Sequence, residues 1–582
     1  MQQRLQAALA AMVCTGAAPL WAQTTVPGSL DREAHIPAPV RSALEGLEPS
    51  AGVWDGEIWN SALNGPIKAL RAQAFLASKD PGDELAALAL PDAPCLWLAP
   101  DVHEQSLSWR IWTGKPADAP RTWSEGLRDM RARMGGAADW MEWHVEDLEV
   151  LPDERCRGRL RLQWKRSAGG ENVTMHSLWE VTWQRQEQAI LWAAVEELEF
   201  HLVGIRSGNQ PAFVDRTAGA LGAGPCAEQL GRSIPEWRDQ LDANLGVGFL
   251  GHHGIAVADV DGDGLEDLYV CEPGGLPNRL LLHQPDGSLV DVAKQADLDI
   301  LNYSSSALWL DFDGDGDRDL ALCTSQGLYL FEQHDKLRFR MRFHQAGSDC
   351  TSMAAADPDG DGDLDLYVCR YASPYESQGL PFPYHDAENG SENWMFANQG
   401  QWNFEDVTEA WGLAPGAGRF SFAAAFEDYD NDGDQDLYVA NDFGRNCLYR
   451  WDDGAFVAVG GAAGVEDLAA GMGVTWGDWN RDGRMDLYVS NMDSNAGQRI
   501  TDQLSFSPGA GDFDRGALQG HARGSSTYLG QADGTFLDAT YGSGSRRSLW
   551  AWGGLAADLD LDGALDLMVP NGFVTGPDTK DL

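Results

Sequence analysis

One acidic segment of nine residues recurs six times in this chain of 582 residues, and it constrains the fold more than any other feature. The copies, here numbered loops 1 to 6, start at Asp259, Asp311, Asp357, Asp428, Asp478 and Asp558, with successive starts 52, 46, 71, 50 and 80 residues apart. A small apolar run enters each loop and an alternating run such as Asp-Leu-Tyr-Val leaves it, a pattern typical of two strands. The shorter spacings fit four short strands, which is the content of one β-propeller blade.

The outer two strands of the repeat are also recognisable. The phrases NRLLLHQPDGSLVDV from Asn278, NCLYRWDDGAFVAV from Asn446 and STYLGQADGTFLDAT from Ser526 each place a Gly-containing turn between two apolar runs, as a hairpin requires. Two insertions, at residues 371–393 and 491–523, explain the wide spacings. Long loops on a rigid scaffold often bind ligands, but plain solvent-exposed elaboration explains these two equally well.

The pattern inside the loops indicates a calcium cage. Positions 1, 3, 5 and 9 carry a carboxylate or an amide in every loop, and position 6 is always glycine. Ca²⁺ takes six to eight oxygen ligands at about 2.3–2.6 Å, which closely spaced carboxylates on one tight loop can supply. Position 7 varies from Asp to Leu, Arg and Ala, so its backbone carbonyl is the expected ligand.

The predicted ligands therefore lie at positions 1, 3, 5, 7 and 9 of loops 259–267, 311–319, 357–365, 428–436, 478–486 and 558–566. They are Asp259, Asp261, Asp263, Leu265 and Asp267; Asp311, Asp313, Asp315, Asp317 and Asp319; Asp357, Asp359, Asp361, Asp363 and Asp365; Asp428, Asp430, Asp432, Asp434 and Asp436; Asp478, Asn480, Asp482, Arg484 and Asp486; and Asp558, Asp560, Asp562, Ala564 and Asp566. About six Ca²⁺ ions are expected, and their binding would add to the folding free energy.

Other interpretations of the loops fit less well. An EF-hand closes with Glu at position 12 between helices, whereas these loops close with Asp at position 9 between strands. Mg²⁺ prefers a smaller shell that retains water, and the absence of His and Cys from the loops disfavours transition metals. Six loops in fixed register are also difficult to explain as merely soluble turns.

Charge and the N-terminal segment indicate an exported protein. The net charge of -47, with 89 acidic and 42 basic residues, argues against nucleic-acid binding. Residues 1–22 resemble a signal peptide, with Arg4, an apolar run over residues 7–21 and a small-residue cleavage site. Cys14 permits a lipoprotein alternative, although Ala-Met-Val before it lacks the small residue expected at the cleavage point. No later apolar run is long enough to span a membrane.

Eight cysteines follow the predicted signal peptide, an even number that is compatible with disulfides in an oxidising compartment. Three of them, Cys271, Cys323 and Cys369, occupy equivalent places in successive repeats. Small buried thiols fit these three positions slightly better than disulfides do.

A different region precedes the repeats. Residues 24–200 begin with helical patterns over 42–77 and 123–134 and continue with strand patterns over 144–151, 159–166, 173–184 and 189–203, which predicts an α+β domain. Its tryptophans, including Trp164, Trp179, Trp183 and Trp192, are read as core residues, with an aromatic ligand cup as the alternative.

The repeats carry a family resemblance. The loops, together with GHHGIAVADVDGDGLEDLYVCEPGGLPNRL from Gly251, VANDFGRNCLYR from Val439, DWNRDGRMDLYVSNM from Asp478 and VPNGFVTGPDTKDL from Val569, resemble FG-GAP/VCBS repeat proteins and, within them, bacterial proteins of the cartilage-acidic-protein-1-like family. The resemblance covers residues 213–582. It implies a secreted, calcium-binding propeller used for adhesion, with no established catalytic residues.

The expected architecture is mainly β: a calcium-binding, six- or seven-bladed, integrin α-like β-propeller over residues 201–582, preceded by the smaller α+β domain. Because the sequence ends soon after loop 6, the last blade is expected to lack outer strands of its own. Residues 202–205 and 212–216 resemble outer-strand phrases and are expected to supply them.

Three functions remain open at this stage. An extracellular or cell-surface binding and adhesion scaffold is favoured, with an extracellular protein or glycan as partner and a secreted, cell-surface or periplasmic location. A propeller-based lyase or hydrolase acting on polysaccharide or another polymer is the alternative. The enzyme candidates are His252-His253 and His385-Asp386, for which a turn and solvated loop residues are the simpler interpretations. A purely structural envelope component is the third.

Overall fold

The computed structural model describes residues 55–70, 89, 95–105, 109–116, 122–151, 154–168, 171–186, 189–206, 215–232, 237, 253–372, 381–502, 511–541, 543–548, 550–559 and 563–571. The predicted signal peptide lies outside these residues. The chain divides into two compact units: residues up to 214 with 495–515 form the first unit, and residues 215–494 with 516–579 form the second.

The first unit contains a seven-stranded sheet and two helices that precede or interrupt it. Their bounds are α1 Asp55–Leu70, β1 Cys95–Leu96, β2 Leu98–Gln105, β3 Trp109–Pro116, α2 Trp123–Arg133, β4 Trp140–Leu151, β5 Arg155–Ala168, β6 Glu171–Gln186 and β7 Ala189–Arg206. The sheet order is β2-β3-β7-β6-β5-β4, with β1 parallel to β7. A capping box between Thr122 and Glu125 starts α2 by satisfying backbone N–H groups that have no partner within the helix.

Four tryptophans of this sheet are core residues. Trp164, Trp179, Trp183 and Trp192 are fully buried and belong to one apolar cluster that includes residues of both helices. Ring centroids of Trp179 and Trp192 lie 6.3 Å apart at a steep angle, an edge-to-face packing favoured by aromatic quadrupoles. The core interpretation of these side chains is therefore correct.

The boundary between the two regions differs from the expectation. Residues 202–205, expected to complete the last blade, instead continue β7, where Leu202 pairs with Met175 of β6 and Trp112 of β3. That expectation is wrong because a strand-like phrase carries no information on which sheet it joins. Residues 212–214 lie outside the described part of the chain, and Asp215 and Arg216 precede a short helix rather than forming a strand.

The second unit is a series of sheets, each built around one acidic loop. After α3 Thr217–Leu221 and α4 Pro225–Leu230, the strands are β8 Ile255–Ala258, β9 Asp267–Val270, β10 Arg279–His283, β11 Leu289–Asp291, β12 Ser304–Leu310, β13 Asp319–Thr324, β14 Gly327–Asp335, β15 Arg338–Ala346, β16 Cys350–Ala356, β17 Asp365–Arg370, β18 Trp394–Asn398, β19 Phe404–Asp406, β20 Ser421–Glu427, β21 Asp436–Asn441, β22 Cys447–Asp452, β23 Ala455–Ala458, β24 Gly471–Gly477, β25 Asp486–Asn491, β26 Ser526–Gly530, β27 Phe536–Asp538, β28 Leu555–Ala557 and β29 Asp566–Met568. Helix α5 Gly460–Ala463 follows β23, and the second insertion holds α6 Asn495–Asp502 and α7 Asp512–His521.

These strands form five four-stranded sheets and one two-stranded sheet, each with its strands in sequence order. We name them repeat sheets 1 to 6: β8–β11, β12–β15, β16–β19, β20–β23, β24–β27 and β28–β29. The first strand of each sheet packs against the first strand of the next, from β8 through β12, β16, β20 and β24 to β28. The acidic loop joins the first two strands of every sheet.

Buried polar clasps connect neighbouring repeat sheets. The side-chain amide of Asn393 in repeat sheet 3 donates to the hydroxyl of Tyr367 at 2.9 Å and to the hydroxyl of Ser421, the first residue of repeat sheet 4, at 2.8 Å. Asn278 makes the same pair of bonds to Tyr269 and Ser304. Each bond contributes about 0.5–1.5 kcal/mol, and losing one partner inside the protein costs more.

Helix α6, although part of the second insertion, belongs to the first unit, where the buried Arg499 donates to the Val145 carbonyl at 3.0 Å.

The eight cysteines after the predicted signal peptide are free thiols, and Cys271, Cys323 and Cys369 are buried. Among the described residues, no helix is long and apolar enough to cross a membrane.

Candidate metal centres in the acidic loops

All six loops share a tight turn that is organised by the carboxylate at position 1. In loop 1 the backbone N–H of Gly264 donates to Asp259 at 2.9 Å, and the equivalent bond in the other loops measures 2.8–3.0 Å. The glycine at position 6 has φ between 82° and 99° in all six loops. Residues with a side chain rarely adopt this backbone conformation, which explains why position 6 is always glycine.

This turn brings carboxylates together in loops 1 to 4. In each of these loops, three carboxylates offer oxygen atoms that all lie within 4.8 Å of one another: Asp259, Asp261 and Asp263; Asp311, Asp313 and Asp315; Asp357, Asp359 and Asp361; and Asp428, Asp430 and Asp436. In loop 6, Asp560 and Asp562 lie outside the described residues. Converging carboxylates repel one another unless a cation or protons neutralise them.

Buried oxygen atoms without a protein partner show that these groups fit a hard cation. Among the described residues, five such carboxylate oxygens occur in loops 2 to 4: Oδ1 of Asp317, Asp363 and Asp430, and Oδ2 of Asp365 and Asp436. Leaving a buried charged oxygen unpaired costs more than about 1–3 kcal/mol. A divalent cation that binds oxygen ligands would remove this cost, so the donor set fits a hard divalent cation.

The carboxylate at position 9 has a second role that the sequence did not reveal. In loop 2, Asp319 accepts the backbone N–H of Gln333 on the third strand at 2.9 Å and that of Phe312 at position 2 at 2.9 Å. Asp267, in loop 1, accepts the equivalent pair of backbone N–H groups. In loop 3, position 2 is Pro358, which has no N–H, and Oδ2 of Asp365 is unpaired. Position 9 therefore fastens the second strand to the third.

Position 7 adds a side-chain carboxylate in loops 2 and 3. Its backbone carbonyl remains the predicted ligand, and in these loops the side chains of Asp317 and Asp363 also interact with the charges of the other loop carboxylates. Burial, reinforced by the charges of Asp315 and Asp313, raises the pKa of Asp317 to about 6. Burial and the neighbouring Asp361 raise the pKa of Asp363 to about 6 as well. These loops thus offer one more carboxylate than loop 1, which has Leu265 at this position.

Comparison with known proteins agrees with the loop geometry. The family model described as FG-GAP-like repeat matches residues 259–322, 311–368 and 428–489, which contain loops 1 to 5. The chain carries FG-GAP-like repeats. It is also 26% identical over 380 residues to cartilage acidic protein 1 of Xenopus tropicalis, covering 55% of this chain and 57% of that protein. The match therefore spans little more than half the length of this relative.

Two solved structures overlap with parts of the chain. An Agrocybe aegerita lectin that recognises non-reducing terminal N-acetylglucosamine is 15% identical and is covered to 74%, over 55% of this chain, with a TM-score of 0.32. A putative scytalone dehydratase from Novosphingobium aromaticivorans is 9% identical and is covered to 87%, over 25% of this chain, with a TM-score of 0.18.

The two insertions leave the FG-GAP-like repeats at the edge opposite the acidic loops. In an antiparallel sheet the connection from the first to the second strand and that from the second to the third lie at opposite ends. Both insertions join a second strand to a third, β17 to β18 and β25 to β26. They meet at the turn between β21 and β22 of repeat sheet 4. There the ring centroid of Phe443 lies 5.1 Å from that of Tyr384 in the first insertion and 5.7 Å from that of His521 in the second. We call the surface around these three rings the insertion face.

Each of the two candidate pairs, His252-His253 and His385-Asp386, includes a residue with structural contacts. Asp386 forms ion pairs with Arg419 and Arg445, each at 2.7 Å. Burial opposes ionisation of Asp386, but the hydrogen bonds and charges of Arg445 and Arg419 outweigh it and lower its pKa to about 2. His253 contacts the Ser304 carbonyl at 3.3 Å and packs against Tyr303, as expected for a turn residue. His252 lies outside the described residues.

One titratable group near the insertion face escaped the sequence analysis. Asp442, in the turn beside Phe443, is buried and accepts a hydrogen bond from the Tyr371 hydroxyl at 2.9 Å. Burial raises the pKa of Asp442 to about 7. Nothing in the phrase VANDFGRN indicates this, because the burial depends on residues distant in sequence.

Proposed function

We propose that this protein is an exported, calcium-binding β-propeller that acts as an extracellular or cell-surface binding scaffold. The observation that carries the proposal is the convergence of three carboxylates in each of loops 1 to 4, with unpaired buried oxygens in loops 2 to 4. Such groups are unfavourable without a cation, so the ions act as staples between the first two strands of each repeat sheet. Loops 1 to 6 would together hold about six ions on the sequence pattern.

The propeller assignment is supported by the serial packing of the repeat sheets. Six sheets in a row, joined through their first strands, are the arrangement from which a ring of six or seven blades is built. Repeat sheet 6 has two strands among the described residues. The similarity to cartilage acidic protein 1 fits an extracellular location.

The insertion face is the proposed contact surface for a partner. Two long insertions from different repeat sheets meet there, on the edge away from the ions, and a rigid scaffold positions them. The partner would be an extracellular protein or a glycan. The contacts that fix Asp386 and His253 favour this binding role over catalysis by the residues first considered.

A lyase or hydrolase acting on a polymer is the second candidate, and Asp442 is the observation that favours it. A carboxyl group with a pKa of about 7 can donate or accept a proton near neutral pH. Turnover of polysaccharides that is abolished by Asp442→Asn would support catalysis. Binding that survives this substitution, without turnover by the parent protein, would support the scaffold.

The proposal is tested by counting ions on the mature protein. We expect the Asp311→Asn/Asp313→Asn variant of loop 2 to bind one Ca²⁺ fewer than the parent by equilibrium dialysis and metal analysis, because it loses two of the three converging carboxylates. Asp335→Asn, an exposed acid in the hairpin of the same sheet, is the matched control and should bind the parent number. A parent protein that binds no Ca²⁺, or binds Mg²⁺ equally well, would refute the proposal.

A further inference from the structure

Loop 5 folds like the other loops. The N–H of Asp482 donates to Asp478 at 2.9 Å and to Asn480 at 3.0 Å, and the N–H of Gly483 donates to Asp478 at 2.9 Å. Asp486 at position 9 accepts backbone N–H groups from Gly530 and from position 2, as in loops 1 and 2. Any difference in cation binding therefore comes from the side chains and not from the turn.

The side chains of loop 5 differ strongly in charge. Residues 478–486 contain three aspartates and two arginines, a net charge of -1, whereas residues 311–319 contain five aspartates and one arginine, a net charge of -4. Position 3 is the amide Asn480, so loop 5 does not present three converging carboxylates as loops 1 to 4 do. Calcium affinity in such loops depends on the number of charged ligands.

One of these arginines interacts with the acidic groups of its own loop. The guanidinium of Arg484, at position 7, pairs with the Asp482 carboxylate through Nη2. Its Nε donates to the Gly530 carbonyl at the end of β26 at 2.9 Å, which holds the side chain in place. Among the described residues, loops 1 and 5 have no buried carboxylate oxygen without a partner, but loop 1 has three converging carboxylates and no arginine.

We infer that Arg484 is a tethered cation that takes the place of a bound metal ion in loop 5. Its charge neutralises Asp482, and its bond to Gly530 links the loop to the third strand of repeat sheet 5. A divalent ion entering this loop would meet a fixed positive charge at hydrogen-bond distance from one of its carboxylates, which opposes binding. This inference rests on the proposed calcium function and lowers the number expected from the sequence pattern by one, so that four of loops 1 to 5 are occupied.

The test exchanges the charge pattern of loop 5 for that of its neighbours. In Asn480→Asp/Arg484→Ala we expect one additional Ca²⁺ per chain by equilibrium dialysis, because the loop gains a carboxylate and loses the tethered cation. Leu265→Ala changes the same position of loop 1 and should leave the number unchanged. No additional ion in the double variant would overturn the inference.

A second variant keeps the inference testable if removal of Arg484 prevents folding. Asp478→Asn/Asp482→Asn removes two loop 5 carboxylates while Arg484 remains, and we expect it to bind as many ions as the parent. The loss of one ion would overturn the inference but leave the calcium proposal intact. Failure of the calcium proposal itself has a different signature, since the parent and the loop 2 variant would then both bind none.

Discussion

The buried Glu197 carboxylate of the first unit has its partners within the protein, whereas loops 2 to 4 hold buried carboxylate oxygens that have none among the described residues. Glu197, whose side chain is inaccessible to solvent in the first unit, accepts hydrogen bonds from Ser177 at 2.8 Å and from the Leu98 backbone at 2.9 Å and lies 3.5 Å from Arg133. In repeat sheet 3, one oxygen of the buried Asp365 has no such partner among the described residues. The Glu197 carboxylate is satisfied by groups of the protein, whereas the unpaired oxygen of Asp365 would be satisfied by a bound cation.

This difference explains what each region depends on. The first unit has a continuous aromatic and aliphatic core on one sheet, so its stability is intrinsic to the chain. The repeat sheets have smaller cores, each formed between two neighbouring sheets, and these are supplemented by buried polar clasps and acidic loops. Repeats that bury little apolar surface individually depend on their neighbours, and the loops add a dependence on cations.

Metal removal should separate the two regions most clearly. In excess EDTA we expect hydrogen–deuterium exchange to rise by at least tenfold in β13, β17 and β21, the second strands that follow loops 2 to 4, because each loses the cation behind it. A site saturated at 100 times its Kd contributes about 2.7 kcal/mol, so several sites add up to a large effect. Strands β5 and β6 of the first unit should exchange at the same rate with and without EDTA.

Restored Ca²⁺, but not Mg²⁺, should return the exchange of the repeat sheets to its original rate. A uniform rise of exchange in both regions would contradict the comparison. Equal rates with and without EDTA in β13, β17 and β21 would contradict the role of the cations.

Truncation of a core side chain in the first unit should destabilise that unit and leave cation binding by the repeat sheets unchanged. Trp179→Ala is expected to lower the free energy of unfolding of the first unit by about 3–5 kcal/mol, because a fully buried ring is lost. The loss also removes the donor to the Ser177 hydroxyl, at 2.7 Å. Urea unfolding followed by exchange in β5 and β6 measures it, and the number of bound Ca²⁺ should not change.

Two substitutions serve as controls for this experiment. Trp140→Ala removes an exposed ring from the same sheet and should cost less than about 1 kcal/mol. Leu437→Ala, directly after loop 4, truncates a fully buried side chain of the second unit and should cost about 2–5 kcal/mol there. If Trp179→Ala changed the number of bound Ca²⁺ ions and Leu437→Ala destabilised β5 and β6, the stability of the first unit would not be independent of the repeat sheets.

The sequence predicted what depends on short-range chemistry. The glycine of each loop, the strands on either side of it and the outer hairpins are encoded within a few residues, and the glycine at position 6 has a positive φ in all six loops. Burial of Trp164 and Trp179 also followed from their spacing on strands. Such features need no knowledge of distant partners.

The sequence failed where the outcome depends on distant residues. Residues 202–205 have the same local pattern as an outer blade strand, but pairing with β3 and β6 places them in the first unit. The meeting of Tyr384 with His521, and the burial of Asp442, likewise arise from insertions far apart along the chain. The double role of position 9 required knowledge of the third strand, whose backbone N–H groups bind it.

A smaller effect, the pH dependence of stability, should reverse its sign when calcium is removed. Burial raises the pKa of Asp319 to about 7, that of Asp365 to about 8 and that of Asp436 to about 7, from an ordinary value of 3.8. Without metal the folded state therefore binds more protons than the unfolded state between pH values of about 4 and 8. Stability must then fall as the pH rises through this range.

With excess Ca²⁺ the opposite slope is expected, because the ion binds deprotonated carboxylates and protons compete with it. Melting temperatures measured from about pH 5 to pH 8 in EDTA and in Ca²⁺ test both slopes. Asp365→Asn removes the group with the largest shift and should flatten the EDTA profile, whereas Asp335→Asn should not change it. A Tm that rises with pH in EDTA would show that the buried loop carboxylates are ionised without a cation, and the contrast with the self-contained first unit would then be lost.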